Sequence, residues 1–326
     1  MSLSLSVILC TKDRPADLYQ CIISILNGKR LPQEIIVIDD GTLDPEPIQT
    51  LLERFSIEFH YRRKSPPNTN ASRNLAVSIA GGDILSFLDD DVVLDSNYYA
   101  SVMRTFEEDS EQQIAGITGA IKVHTHPLKR AFLRFFGLES SQPGKVQPCG
   151  AATLVRAGEI CRPTRVDWLS GCNMNLRRWV FKKYRFNEQD SGYSWGDDRD
   201  FSYPIGREYL LIALPEATLV HKKSPTGRAS AEGMGRMEIF HLGRFFVTSL
   251  HPQKRNWIAL GWAFLGIFLK NLLNCCAAHK RSRHFKQLRG NFEGLRQFLA
   301  FLREHNGKKE TRPRLADYPN ENHRRS

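Results

Sequence analysis

The sequence predicts an α/β domain built on a largely parallel sheet with helices on both faces, followed by a helical C-terminal appendage. Three observations carry that expectation. Through roughly the first hundred residues, short apolar runs alternate with amphipathic segments, the spacing of successive βα units. Two acidic clusters, Asp39 with Asp40 and Asp89 to Asp91, stand directly behind apolar runs, where an open parallel sheet binds its ligands. After residue 228 the text changes to a long apolar stretch flanked by Lys and Arg.

The strands expected are Ser6 to Cys10, Glu34 to Ile38, Ile57 to Tyr61 and Ile84 to Leu88. Between the first two, Leu18, Ile22, Ile25 and Leu26 fall on one helical face, with Pro15 near the helix start and Gly28 just past its end. Further helices are expected at Ile48 to Phe55, at Ala71 to Ala80 (stopped by Gly81 and Gly82) and at Tyr98 to Glu108. From Thr125 to Arg165 the residues Pro127, Pro143, Gly144, Pro148 and Gly150 make the text loop-like, a candidate flap over a site. The chain therefore divides into a main domain over 1–228, a helical appendage over 229–306 and a flexible basic tail over 307–326.

With 326 residues, 41% hydrophobic and 25% charged, the chain is long and apolar enough for a sizeable core. Its net charge of +11 suits an anionic partner: nucleic acid, an acidic membrane surface or a phosphorylated small molecule. Seven cysteines show neither a C-x-x-C pair nor the dense spacing of a disulfide framework, which fits reduced thiols in a cytosolic setting. The N-terminus has an apolar run but no preceding basic region and no small-residue cleavage site, and reads as the first strand.

Carboxylates crowded into one pocket raise one another's pKa unless a cation compensates, and hard divalent ions prefer oxygen ligands. Asp89, Asp90 and Asp91 therefore read either as a metal-diphosphate site or as a solvated acidic turn capping the next helix. Six segments extend the pattern: "VILCTKDRP", "IIVIDDGTLD", "NASRNLA", "ILSFLDDDV", "LSGCNMNLRR" and "SWGDDRDFSYPIGR". In this order and spacing, over about residues 4–225, the sequence resembles the inverting family 2 glycosyltransferases of the GT-A fold.

That resemblance implies a Rossmann-like sheet whose nucleotide-sugar half covers about 1–110 and whose acceptor half covers about 111–228. It implies that Thr11, Asp13, Arg14, Asp39 and Asp40 surround the base and ribose, and that Arg73 and Asn74 flank the nucleotide. Asp89 and Asp91 become the ends of the D-x-D element, with Asp91 the foremost ligand of Mn²⁺ or Mg²⁺ and Asp90 near the sugar or ribose. Read alone, Arg73 is equally a helix-surface ion pair, and Asp39 to Asp44 a turn. Inversion needs in-line attack by the acceptor hydroxyl, so a base must face the metal across the sugar. "SWGDDRDFSY" matches the family's base element, with Asp197 in its Glu position and Asp198 in its Asp position; Asp198 is the expected base. "WLSGCNMNLRR" matches the acceptor-side segment and offers Trp168, Gly171 and Asn173, while Trp195 is a candidate to stack on a sugar face. Trp168 is equally a core residue. His221 is a third metal ligand, a diphosphate contact or a structural histidine, and Lys222, Lys223 and Arg228 form either a diphosphate-binding loop or a solvated charge run.

The apolar stretch at 257–273 is shorter than the ~20 residues of a span, and both its flanks are basic. A helix lying in the cytoplasmic leaflet, with Trp257 and Trp262 at the interface, satisfies both flanks; burial on the main domain or on a second subunit is the alternative. The expected function is metal-dependent transfer of a sugar, UDP-linked in the first instance, to a hydroxyl of a saccharide or lipid-linked acceptor at the inner face of a membrane, as in cell-envelope polysaccharide assembly. No nucleic-acid partner is expected. The rival readings are a sugar-phosphate nucleotidyltransferase, which would carry glycine in a phosphate loop where "CTKDRPADLY" has none, and a non-catalytic nucleotide-sugar-binding relative.

Overall fold

A computed structural model describes residues 2–189, 195–227, 229–250, 252–275 and 281–308. Four strands open the chain: β1 (Leu5–Thr11), β2 (Glu34–Asp39), β3 (Glu58–Arg63) and β4 (Ile84–Asp89). Between them lie α1 (Pro15–Leu26), α2 (Glu46–Glu53) and α3 (Thr69–Ile79). Each strand and helix expected here is present, shifted by two residues at most. β1 pairs in parallel with both β2 and β4, and β2 with β3, so β1 is buried on both faces and reads as a continuous apolar run.

The second half holds β5 (Val92–Leu94), α4 (Tyr98–Glu108), β6 (Ile114–Ile121), α5 (Pro127–Phe135), β7 (Thr164–Arg165), β8 (Asn173–Arg177), α6 (Asp197–Glu208) and β9 (Leu210–His221). The sheet order is β3-β2-β1-β4-β8-β6-β9-β5, with β7 on β9. Beyond β4 the sheet is mixed: β8 runs antiparallel to both β4 and β6, while β6 and β9 are parallel. The chain passes from β4 to β8 by way of β5, α4, β6, α5 and β7, so the two strands do not form a single βαβ unit that would impose a parallel direction.

The loop expected from Thr125 to Arg165 is corrected in part. Pro127, taken as loop punctuation, is the first residue of α5, whose N-terminus is capped by His126 accepting from the Leu128 N–H at 3.3 Å. The segment is also tied down rather than free as a flap: buried Glu139 receives Arg156 through both oxygens at 3.0 Å and Arg130 at 2.8 Å.

Two apolar cores cover the two faces of the sheet, and a third fills the appendage. The appendage comprises α7 (Ala231–Ser249), α8 (Lys254–Cys275) and α9 (Arg281–Lys308). α9 continues past residue 307, where the tail was expected to begin; residues 309–326 lie outside the described residues. α7 and α9 meet backbone to backbone through glycines: a Cβ at Gly290 would stand 2.0 Å from the Glu232 carbonyl oxygen, and one at Gly235 2.0 Å from that of Gln287. Buried Asn291 spans the junction, donating to Gly235 O at 2.8 Å and accepting from Asn271 of α8 at 2.7 Å.

Since no neighbouring side chain can yield at a backbone contact, Gly290→Ala is expected to destabilise the chain by about 1–3 kcal/mol. Thermal unfolding checks this, and an unchanged melting temperature would contradict the close approach.

Candidate active site

A cavity of about 380 Å³ opens at the carboxyl ends of β1 and β4 and is closed on its far side by the start of α6; Arg73, Asp89, Asp91, Asp197, Asp198 and His221 line it. The sheet delivers the first acids because Asp89 ends β4 and the chain turns there into β5. β9, antiparallel to β5 with Val92 opposite His221, delivers the histidine beside them.

Around the first cluster every buried charge has a partner. His221 Nε2 lies 3.1 Å from Asp91 Oδ1 and 3.7 Å from Asp89 Oδ2. The Ser224 N–H donates to Asp91 Oδ2 at 2.8 Å. Arg14 reaches Asp90 at 2.9 Å and Asp91 at 3.4 Å. Burial pushes the Asp91 carboxyl up, but the His221 hydrogen bond and charge, the Ser224 amide and Arg14 outweigh it and hold it at about 2. Burial works against the His221 imidazolium, yet Asp91 keeps it charged, with its pKa raised to about 10. Asp90 is fully buried, and burial lifts it to about 7 against the opposing pull of Arg14 and Thr11. One ligand atom each from Asp89, Asp91 and His221 lies within 4.8 Å of the others, a donor set for a divalent ion once that ion has displaced the imidazolium proton.

The second cluster opens α6. Asp198 accepts from the Gly171 N–H at Oδ2 and from the Arg199 N–H at Oδ1, both at 2.8 Å, so its carboxylate plane is fixed. Asp197 pairs with Arg73 at 2.7 Å, and Arg73 also stands 3.9 Å from Asp89. That guanidinium is buried and lies over the Phe186 ring at 5.3 Å. Burial raises Asp197 to about 6, with Arg73 opposing and the charge of Asp198 adding to the rise. Burial also raises Asp198, against the two amides it accepts from.

Several residues picked from the sequence lie elsewhere. Asp39 is fully buried and holds its own loop, accepting from the Gly41 and Leu43 amides and the Tyr61 hydroxyl. Thr11 is buried and gives its hydroxyl to Asp90. Asp40 caps the turn before α3, accepting from the Asn68 N–H and Ser72, and pairs with Lys64 at 3.0 Å. With Thr11, Lys12 and Arg14 it lines a second pocket of about 90 Å³. Asp13 is exposed, left-handed at φ 55°, and packed against Gly41. Asn74 clasps the Phe186 backbone and the Glu188 carboxylate. Asn173 is fully buried, its amide oxygen accepting from Thr118 and from the Gly119 N–H; it serves the sheet and does not border the cavity. Trp168, Gly171 and Trp195 do line it, Trp168 being largely buried and donating to the Thr153 carbonyl. Lys222 is committed to Asp17 and Gln20 of α1, Lys223 is exposed, and Arg228 lies outside the described residues.

The sequence reading missed Ala152 and Leu154, which wall the cavity from the segment taken for a loop, and Cys172. It also missed Arg199, buried at the base of α6, which donates to Gly150 O at 2.9 Å and His241 O at 3.2 Å and stacks 4.0 Å over Phe245. Nothing in "DDRD" marks it, since its carbonyl partners, Gly150 and His241, lie more than forty residues away in sequence.

Residues 6–157 match the family model described as Glycosyl transferase family 2. The chain is similar to the Succinoglycan biosynthesis protein ExoM of Rhizobium meliloti (strain 1021), at 23% identity over 300 residues, covering 87% of this chain and 89% of that protein. Among solved structures it is similar to the mannosyltransferase PcManGT from Pyrobaculum calidifontis in complex with GDP-Man and Mn²⁺, with a TM-score of 0.57, 14% identity and coverage of 90% and 88% of the two chains. A GalNAc-T7 structure with UDP, GalNAc and Mn²⁺ superposes with a TM-score of 0.54 at 16% identity, covering 76% of this chain and 50% of that one. The chain thus spans half the length of that structure. At these identities the likeness is one of fold.

Asn173→Ala leaves the buried Gly119 N–H without its acceptor and is expected to cost about 1–3 kcal/mol of stability. Chemical denaturation measures it; a neutral substitution would show that Asn173 does not hold β6 to β8.

Proposed function

Since residues 6–157 match the glycosyl transferase family 2 model, we propose that this chain moves one sugar, with inversion, from a nucleoside-diphosphate sugar to a hydroxyl of a saccharide or lipid-linked acceptor at the cytoplasmic face of a membrane. The observation that carries this reading is the opposition of two acid clusters across one cavity, Asp89 with Asp91 on one side and Asp197 with Asp198 on the other. An in-line displacement needs that arrangement, because the base and the group that stabilises the leaving diphosphate must act from opposite sides of the sugar.

In this mechanism Asp198 takes the proton of the acceptor hydroxyl while the hydroxyl oxygen bonds to the anomeric carbon, and the diphosphate leaves with the electron pair of the broken bond. The Gly171 and Arg199 amides hold the Asp198 carboxylate in place. Asp197, paired with Arg73, sets the charge beside it. Arg14, which lines the cavity, adds positive charge on the diphosphate side. Asp89, Asp91 and His221 would hold Mn²⁺ or Mg²⁺, which supplies charge neutralisation to the departing diphosphate. The imidazole in that set favours Mn²⁺ over the harder Mg²⁺. Support comes from relatives: both similar structures hold a nucleotide or nucleotide sugar with Mn²⁺, and a similar protein is named for polysaccharide biosynthesis. UDP-sugars are the first donors to test, with GDP-mannose beside them.

A panel of nucleotide sugars, with and without Mn²⁺, tests the reading. Asp91→Ala is expected to weaken metal-dependent donor binding about tenfold or more. Asp198→Ala is expected to leave donor binding largely intact and lower transfer by about 10²–10⁴-fold. Undiminished turnover in both variants would reject the assignment.

The pH profile gives a second check. A carboxylate base works only when ionised, and burial raises both Asp197 (to about 6) and Asp198, so activity is present at neutral pH and is lost on acidification along a limb that lies above the ordinary carboxylate range. The acid limb belongs to the coupled pair. Removing the buried cation with Arg73→Met should move that limb to higher pH; a rate that holds steady down to pH 4 in the parent chain would contradict the role of the pair.

A further inference from the structure

The solvent-facing side of α8 is apolar along its length, where an exposed helix face ordinarily carries polar and charged residues. Ile258 is 77% exposed, Leu273 59% and Leu265 44%, with Trp257 and Trp262 beside them. The opposite side, Leu260, Ala263, Phe264 and Ile267, packs into the appendage core. Neighbouring helices extend the apolar surface. The Trp262 indole donates to Phe135 O at 2.8 Å and its ring lies 5.4 Å from that of Phe135, which is 67% exposed at the end of α5. On the other flank the Phe268 ring lies 4.9 Å from Phe292, and Phe285, Phe292 and Leu299 are exposed at seven-residue spacing along α9. Three helices thus contribute exposed apolar side chains to this surface, and contiguous apolar patches of this kind mark interaction sites.

The charge around this face is predominantly positive, and Glu238 and Glu293, at its borders, are paired with Lys270 and Arg296. From residue 239 to 292 the sequence contains no Asp or Glu and nine Lys or Arg. Lys254 and Arg255 at the start of α8, and Arg281, Arg283 and Lys286 at the start of α9, are exposed. A crevice of about 400 Å³ opens among α5, α8 and α9, with Lys129 and His284 beside Phe132, Leu133 and Leu273.

We propose that this face docks on an anionic lipid bilayer, with α8 lying along the interface and the basic helix starts on the headgroups. By length and composition α8 is able to cross a membrane, with a mean hydropathy of 1.5 over its apolar window. The protein holds it at both ends instead. Trp257 stacks edge-on against Phe246 of α7 at 5.0 Å. Lys270 and Asn271 bond to Glu238 of α7 and to Asn291 of α9. A crossing would either break those bonds or draw a Lys–Glu pair and both partner helices into hydrocarbon, and both are costly. Lipid fits the face better than a second copy of the chain, because two such basic faces would repel each other, whereas anionic headgroups neutralise them. The inference takes from the proposed reaction only the membrane location of the acceptor.

Cosedimentation of the full chain with vesicles tests it, using equimolar phosphatidylglycerol and phosphatidylcholine against phosphatidylcholine alone. Binding is expected on the anionic vesicles, weakened by salt and poor on the neutral ones. The double variant I258E and L265E, whose positions are exposed and whose melting temperature should match the parent's, is expected to lower partitioning by at least about tenfold. The double variant R281E and R283E should lower it on anionic vesicles only. The proposal is overturned if the parent chain stays in the supernatant, if the first variant binds as the parent does, or if sizing without lipid shows a dimer that this variant dissociates. Donor turnover is assayed separately, so vesicle binding without turnover would sink the proposed reaction and leave the docking face standing.

Discussion

The site depends on one buried guanidinium. Arg73 has a side chain only 7% exposed, and a cation taken that far out of water survives only against paired negative charge. It finds Asp197 at 2.7 Å and Asp89 at 3.9 Å, joining the end of β4 to the start of α6 across more than a hundred residues of sequence. Arg14 and His221 do the same for Asp90 and Asp91. Four carboxylates, Asp89, Asp91, Asp197 and Asp198, line the cavity with Arg14, Arg73 and His221, and Asp90 is buried behind them. Burial is what lifts Asp90 and Asp197, the neighbouring carboxylates adding to it and the arginines opposing it. A cavity so charged suits the divalent ion and diphosphate of the proposed reaction.

The appendage belongs to this site mechanically. Arg199, one residue beyond Asp198, reaches the Gly150 and His241 carbonyls and stacks on Phe245, so the start of α6 rests on α7. α7 in turn is locked to α9 by glycines that admit no side chain between the two backbones. The acids of α6 are held from below by helices whose far side is apolar and basic, which links the place where chemistry is proposed to the surface proposed to meet lipid.

How much of this was legible follows from where each residue finds its partner. Asp89 and Asp91 reach the cavity because they stand at the carboxyl end of a central strand, and β1, β2 and β4 could be placed because a strand buried on both faces is written as a nearly continuous apolar run. Asp39 bonds the amides of its own loop, while Asn74 and Asn173 bond groups distant in sequence, Phe186 and Glu188 for one and Thr118 and Gly119 for the other, and no spacing in the sequence reveals which group is waiting. α5 was hidden because Pro127 marks a loop and a first helical turn alike. Arg199 was hidden because a buried arginine and a solvated one are spelled the same way. The antiparallel arrival of β8 depends on the path of a long intervening segment, which periodicity does not encode.

The claim that these acids face one another in order to hold a metal-bound diphosphate is tested most directly by anomalous diffraction from crystals grown with Mn²⁺ and UDP. The account predicts one strong manganese peak among Asp89, Asp91 and His221, with the diphosphate on the same ion and Asp198 across the cavity from it. A peak elsewhere, or nucleotide bound with the three ligands still closed on one another and no manganese between them, would contradict it.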